Sequence, residues 1–112
     1  MYTGEFWLDF DDGEDEEHWQ GRVMRCVVRD DQIVVEFSGQ DPDYGAFQGT
    51  CNLRKQGALF IGGGTFTVGK ESGTAAVSAT FSQNGNAASL SGTWLDAGDS
   101  SAYDLTIELS AS

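Results

Sequence analysis

Three times in this chain an apolar residue is followed, at alternate positions, by a glycine and a second apolar residue. The copies are Tyr2-Thr3-Gly4-Glu5-Phe6, Phe47-Gln48-Gly49-Thr50-Cys51 and Leu90-Ser91-Gly92-Thr93-Trp94. Each lies in a segment that alternates apolar and polar residues, the period of a half-buried β-strand. A glycine on the buried face removes a side chain where a sheet must bend sharply. Three bends within 112 residues predict a sheet that closes on itself.

The same alternation, cut by turn residues, predicts eight strands, over about 2–10, 18–29, 32–39, 45–54, 58–68, 74–82, 86–95 and 102–110. A two-residue turn at Asp30-Asp31 pairs Arg29 with Gln32. Cys26 then meets Val35, Met24 meets Phe37 and Val28 meets Ile33 on one apolar face. On the other face Val27 meets Val34 and Arg25 meets Glu36. A one-residue slip would ruin both the apolar ladder and the charge pair. Asn84-Gly85, a strong hairpin signal, pairs Phe81 with Ala88, Ala79 with Leu90, Val77 with Gly92 and Ala75 with Trp94. Gly62-Gly63-Gly64 is expected to form a bulge. An open meander of this length would expose two long edges, which closing the first strand on the eighth removes. The fold expected is therefore all-β, one eight-stranded antiparallel up-and-down barrel over 1–112.

The glycine–aromatic elements Ser91-Gly92-Thr93-Trp94 and Tyr2-Thr3-Gly4-Glu5-Phe6-Trp7 resemble those of calycin-type barrels, the architecture of lipocalins and avidins. The likeness covers the whole chain as topology and only these few residues as motif. It implies a barrel whose open end can take a ligand. It transfers no binding residue and no particular ligand.

Charge narrows the partners. With 18 acidic against 6 basic residues the formal charge is −12. That repels nucleic acid and anionic membranes and favours basic partners or cations. The N-terminus lacks the basic start and apolar run of a signal peptide, and no stretch has the length of a membrane-spanning helix, so the expected location is cytoplasmic. In that setting Cys26 and Cys51 are expected as free thiols. Both point inward with a strand between them, roughly 10 Å apart, beyond the reach of a disulfide.

Seven carboxylates lie close together at Asp9, Asp11, Asp12, Glu14, Asp15, Glu16 and Glu17. A calcium loop needs acids at its first, third and fifth places and glycine at the sixth. Asp9 and Asp11 fit the first two, but Gly13 then falls at the fifth. The plainer expectation is a solvated loop over 11–17, available to steer a basic protein partner. His18 is the single histidine and is expected to be an ordinary surface residue, since a zinc site would need further ligands. No nucleophile elbow, Walker-type or dinucleotide glycine motif is present, so neither catalysis, a cofactor nor a metal is expected.

Two groups remain as candidate binding residues. Trp7, Trp19, Val23, Val27 and Val34 fall on the outward faces of the first three strands and are expected to form one apolar wall that docks a protein partner or a second copy. Phe47, Trp94 and Tyr103 face the interior and are the candidates for holding a small apolar ligand. Phe6, Phe10, Met24, Phe37 and Phe81 are expected to fill much of that interior, leaving room only beside Ala75, Ala79, Ala88 and Gly92. The leading expectation is a non-enzymatic interaction module, of inhibitor or immunity type. The alternatives are a small-ligand carrier and a calcium-dependent module.

Overall fold

The computed structural model describes residues 1–111. They form β1 (Tyr2–Asp11), β2 (Glu16–Val28), β3 (Gln32–Asp41), β4 (Gly45–Gln56), β5 (Leu59–Val68), β6 (Glu71–Asn84), β7 (Ala87–Asp96) and β8 (Tyr103–Ala111). Each strand pairs antiparallel with the next, and β1 pairs with β8 from Tyr2↔Ala111 to Asp9↔Asp104, closing the barrel in sequence order. Among the described residues there is no helix, and so none long and apolar enough to cross a membrane.

The inward glycines act as the sequence pattern implies. A methyl group at Gly4, Gly49 or Gly92 would strike a carbonyl oxygen of the neighbouring strand, at Glu108, Thr65 and Ser78 respectively. Gly62 is a fourth such place, where a methyl would meet the carbonyl of Asn52. These are the bends that let strands curl into a closed wall.

Three expected details of register are corrected. In the β2–β3 hairpin Val28↔Ile33, Val27↔Val34, Cys26↔Val35 and Arg25↔Glu36 pair as expected, and then Val23, not Met24, faces Phe37. Relative to β1 the same stretch also holds one extra residue, since Tyr2 pairs with Cys26 but Gly4 with Val23. The β-bulge at Met24 reverses the phase of everything N-terminal to it in β2. Met24 is expelled to 59% exposure, while Val23 is buried at 2%. In a single phase, β2 would have put Gln20 and Arg22 into an apolar interior; the bulge turns Gly21, Trp19 and Glu17 there instead.

The β6–β7 turn is Gly85-Asn86, not Asn84-Gly85, because Asn84 pairs with Ala87. Gly85 carries a φ of +63° at the first central position, which a glycine adopts without a Cβ clash. The pairs are consequently Phe81↔Leu90, Ala79↔Gly92 and Val77↔Trp94, two residues away from the expected ones. A shift of two leaves each side chain on its expected face. The third correction is at Gly62-Gly63-Gly64, which run in unbroken register with Leu53, Asn52 and Cys51 and form no bulge.

Cys26 and Cys51 are both buried free thiols, each opposite Val35 on either side of β3. Burial pushes their pKa values up, to about 11 and about 12. They sit among the most enclosed side chains, with Ile33, Val35, Leu53, Leu90 and Ile107.

Candidate functional site

The two ends of the barrel differ. One end carries the short links 29–31, 57–58 and 85–86, and the other carries 12–15, 42–44, 69–70 and 97–102. The interior toward the first end is filled by the aliphatic side chains and thiols just named, together with Tyr2 and the edge-on pair Phe60 and Phe81. Near it the Tyr2 hydroxyl accepts a 2.7 Å hydrogen bond from Gln83 Nε2, linking the strands on either side of the β7–β8 hairpin. The second end is built of aromatic rings that leave space between them.

A stacked and edge-on cluster forms the floor of that space. Phe6 and Phe37 stack with centroids 4.1 Å apart, and Trp94 meets both edge-on at 6.2 and 5.9 Å. Such T-shaped contacts bring a positive ring edge to a negative ring face. Gly64 gives Trp94 its room, because a methyl there would lie 2.8 and 2.9 Å from the indole Cη2 and Cζ3 atoms. Above the floor, Trp19 meets Phe47 edge-on at 5.3 Å and stacks on Tyr44 at 5.4 Å. Phe47 in turn lies against Gly21 and Gly39, where added methyl groups would strike its ring.

Phe6, Phe37, Trp94, Trp19 and Phe47 line a partly open cavity of about 120 Å³, completed by Leu8, Phe66, Val68, Glu17, Asp96 and Tyr103. Its polar groups form two hydrogen-bonded sets, one around Glu17 and one at Asp96. Glu17 accepts from the Trp19 indole N–H at 2.8 Å through Oε1 and from the Tyr103 hydroxyl at 2.8 Å through Oε2. Asp96 Oδ1 accepts from the Trp94 indole N–H at 2.6 Å. Burial raises the Asp96 pKa above the ordinary carboxylate value, opposed by the Trp94 bond and reinforced by the charges of Asp99 and Glu17. Burial also raises the Tyr103 pKa, and its bond to Glu17 adds to this by favouring the protonated phenol. A wider, shallower trough crosses the outer face of β3 to β6, lined in part by Ser38, Gln48, Thr50, Thr65, Thr67 and Thr74.

The expected interior trio, Phe47, Trp94 and Tyr103, is brought together around this cavity. The expected room beside Ala75, Ala79, Ala88 and Gly92 is not this cavity, whose lining includes none of them. The expected outer wall does not assemble. Trp19 and Val23 face inward because of the bulge. Trp7 stays on the outer face, partly buried, opposite Gln20 and Thr106. Val27 and Val34 pair with each other seven strand positions further along β2, roughly 23 Å away.

The expected acidic loop is a tight hairpin turn. β1 extends to Asp11 and β2 begins at Glu16, with Asp11↔Glu16 paired. Asp12 Oδ1 accepts from the amides of Asp15 at 2.7 Å and Glu14 at 2.9 Å, and Asp11 Oδ1 from that of Gly13 at 2.9 Å. The amides of Asp15 and Glu14 lower the Asp12 pKa by favouring its charged form. These oxygens are turned onto the chain's own backbone. Among the described residues no group of three or more His, Cys, Asp or Glu side chains is placed to hold a metal ion. Glu14 and Asp15 are exposed at the tip, and Glu17 points into the barrel. His18 is more than a bystander on the surface. It bridges Asp9 Oδ1 through Nδ1 at 2.7 Å and Glu16 Oε1 through Nε2 at 2.6 Å, and these bonds raise its pKa, that to Glu16 first.

Sequence reasoning missed Trp19, Glu17, Asp96, Leu8, Phe66 and Val68 as members of one site. The sign that would have found Glu17 and Trp19 is the apolar phase Trp19, Gly21, Val23, opposite to that of Cys26 and Val28. Asp96 follows from extending the inward phase of Trp94 by one step.

No protein-family model matches the sequence, and no curated protein matches it. Among solved structures, a redesigned β-barrel aligns over 98% of this chain and 89% of its own, at 17% identity and a TM-score of 0.56. The ywiB protein of Bacillus subtilis aligns over 99% of this chain and 91% of its own, at 10% identity and a TM-score of 0.48. The first likeness concerns the fold alone and agrees with a closed barrel; the second supports no argument.

Proposed function

We propose that this chain is a non-enzymatic small-ligand-binding barrel, calycin-like in use as in architecture, which takes a compact molecule into the end formed by links 12–15, 42–44, 69–70 and 97–102. The observation that carries this reading is the contrast between the two ends. One is filled by buried side chains such as Ile33, Leu53 and Leu109, while the other holds an aromatic-walled space of about 120 Å³ with its polar groups gathered at Glu17, Asp96 and Tyr103. Ligand sites are mostly apolar concavities with a few placed polar groups, and an eight-stranded barrel has room for one small ligand. The volume is several times the ~30 Å³ share of a water in the liquid, and well below that of a drug-sized site.

The test is a set of small apolar and aromatic compounds titrated into the full chain by calorimetry. A Val68→Trp variant should keep its melting temperature within a few degrees and lose binding, because the new ring fills the space. Binding unaffected by Val68→Trp, or no binding to the natural chain at all, would contradict the reading.

Protein docking is the second reading, for a basic partner or a second copy. It is favoured by the acidic hairpin tip, whose Glu14 and Asp15 project into solvent. It lacks a contiguous apolar anchor beside that tip.

A further inference from the structure

We propose that the ligand of this cavity is an organic cation, a protonated amine on a compact apolar or aromatic body, with Glu17 and Asp96 as its counter-charges. The inference rests on the reading of the cavity as a ligand site.

Two carboxylates enter an aromatic-walled space from different strands, Glu17 from β2 and Asp96 from β7. Their protein donors are neutral: two indole N–H groups and one phenol. No lysine or arginine lines the cavity. Among the described residues the ion pairs are those of His18 with Asp9 and Glu16, and neither involves Glu17 or Asp96. The site therefore concentrates negative charge that the chain leaves unbalanced, although taking carboxylates out of water is costly without a partner. Burial and the neighbouring acids already oppose ionisation of Asp96. A bound cation reverses that penalty.

The walls select for an organic cation over a bare ion. Trp19, Trp94, Phe47, Phe66 and Tyr103 surround the space. The negative faces of such rings attract ammonium groups, more strongly where water is excluded. The body of an amine gains from the same apolar walls. The formal charge of −12 draws cations toward the barrel and repels anions before they reach it.

The test is calorimetric titration of the full chain with three probes of one shape: benzylammonium, benzyl alcohol and benzoate. Benzylammonium should bind about tenfold or more tightly than benzyl alcohol, and benzoate should bind more weakly than either. Glu17→Gln and Asp96→Asn should each cut the preference for the cation severalfold while benzyl alcohol binds as before. Asp104→Asn, which removes an exposed outward charge near the same end, should leave the preference intact. The comparison of probes on the natural chain stands even if a variant fails to fold. Equal binding of benzylammonium and benzyl alcohol would overturn the cation assignment and leave the ligand cavity standing. Absence of binding by all three would overturn both. A preference that survives in both Glu17→Gln and Asp96→Asn would belong to the general field of the protein, and the assignment to these residues would fall.

Discussion

Removing the Trp94 ring should cost about 3–5 kcal/mol of stability, the range found for Trp→Ala and Phe→Ala in packed interiors. Trp94 is 2% exposed and touches three rings, Phe6, Phe37 and Phe66, at centroid distances of 6.2, 5.9 and 5.8 Å. A buried indole removes about 150–250 Å² from water. At about 25 cal/mol/Å² that gives about 4–6 kcal/mol, an upper bound because the unfolded chain already hides some surface. Trp94→Ala also takes away the N–H donor of Asp96 and leaves that partly buried carboxylate without it. Collapse into the gap is limited, since the strand facing the ring is glycine at Gly64. Trp7→Ala makes the same deletion on the outer face, where Trp7 is only partly buried, and should cost about 1–2 kcal/mol by the same area argument. The assay is urea unfolding followed by far-ultraviolet circular dichroism, with the slopes of the two variants compared to the natural chain. A loss in Trp7→Ala equal to or larger than that in Trp94→Ala would refute the reasoning. It would mean that the phase of β1 is reversed and that Trp94 lies outside the aromatic cluster of the interior.

Val23→Ser should lose about 2 kcal/mol and Met24→Ser under about 0.5 kcal/mol, because the bulge buries the first and expels the second; the opposite order in denaturant midpoints would remove the bulge. Native protein at pH 8 should react very slowly with a thiol reagent, and denatured protein without reductant should release two thiols per chain, since Cys26 and Cys51 are buried, unlinked and raised to about 11 and about 12. Rapid native labelling would contradict their placement. His18 should titrate above its ordinary 6.5 when followed by NMR, because both ring nitrogens face carboxylates and the doubly protonated ring donates to each. A raised folded-state value makes its stabilising contribution complete below about pH 6.5 and lost as pH rises through the folded pKa. A midpoint at or below 6.5 would show that the bridge to Glu16 and Asp9 does not form in solution.

The closed meander was legible because each strand alternates and three glycine positions mark its bends. Faces were legible wherever one phase ran unbroken, as in β6 to β8. The functional end was harder to see, for a physical reason. A bulge adds one residue without a turn signal, and Val23-Met24 offers two adjacent apolar residues, either of which satisfies a buried position. The conflict it leaves, Gln20 and Arg22 inside an apolar barrel, is visible only when the whole strand is held to one phase. Trp19 falls outside for that reason, Glu17 is left in the loop ahead of the strand, and the expected outer wall draws on residues that the bulge divides between two faces. The β6–β7 error has another origin. Asn84-Gly85 and Gly85-Asn86 are both good turn pairs, and a shift of two positions leaves the inward pattern unchanged, so hydrophobic alternation cannot choose between them. The choice falls to the backbone, where glycine and not asparagine takes the positive φ.

The three tryptophans offer the most direct test that the open end is where a ligand sits. The indole N–H groups of Trp19 and Trp94 bond to Glu17 and Asp96 at the cavity, while Trp7 lies outside the barrel. Each indole gives one resolved signal in a nitrogen–proton correlation spectrum. On titration with benzylammonium, a ligand seated at the open end should move the Trp19 and Trp94 signals together with one binding curve and leave the Trp7 signal in place. Movement of the Trp7 signal alone, or no movement of the other two at saturating probe, would contradict it.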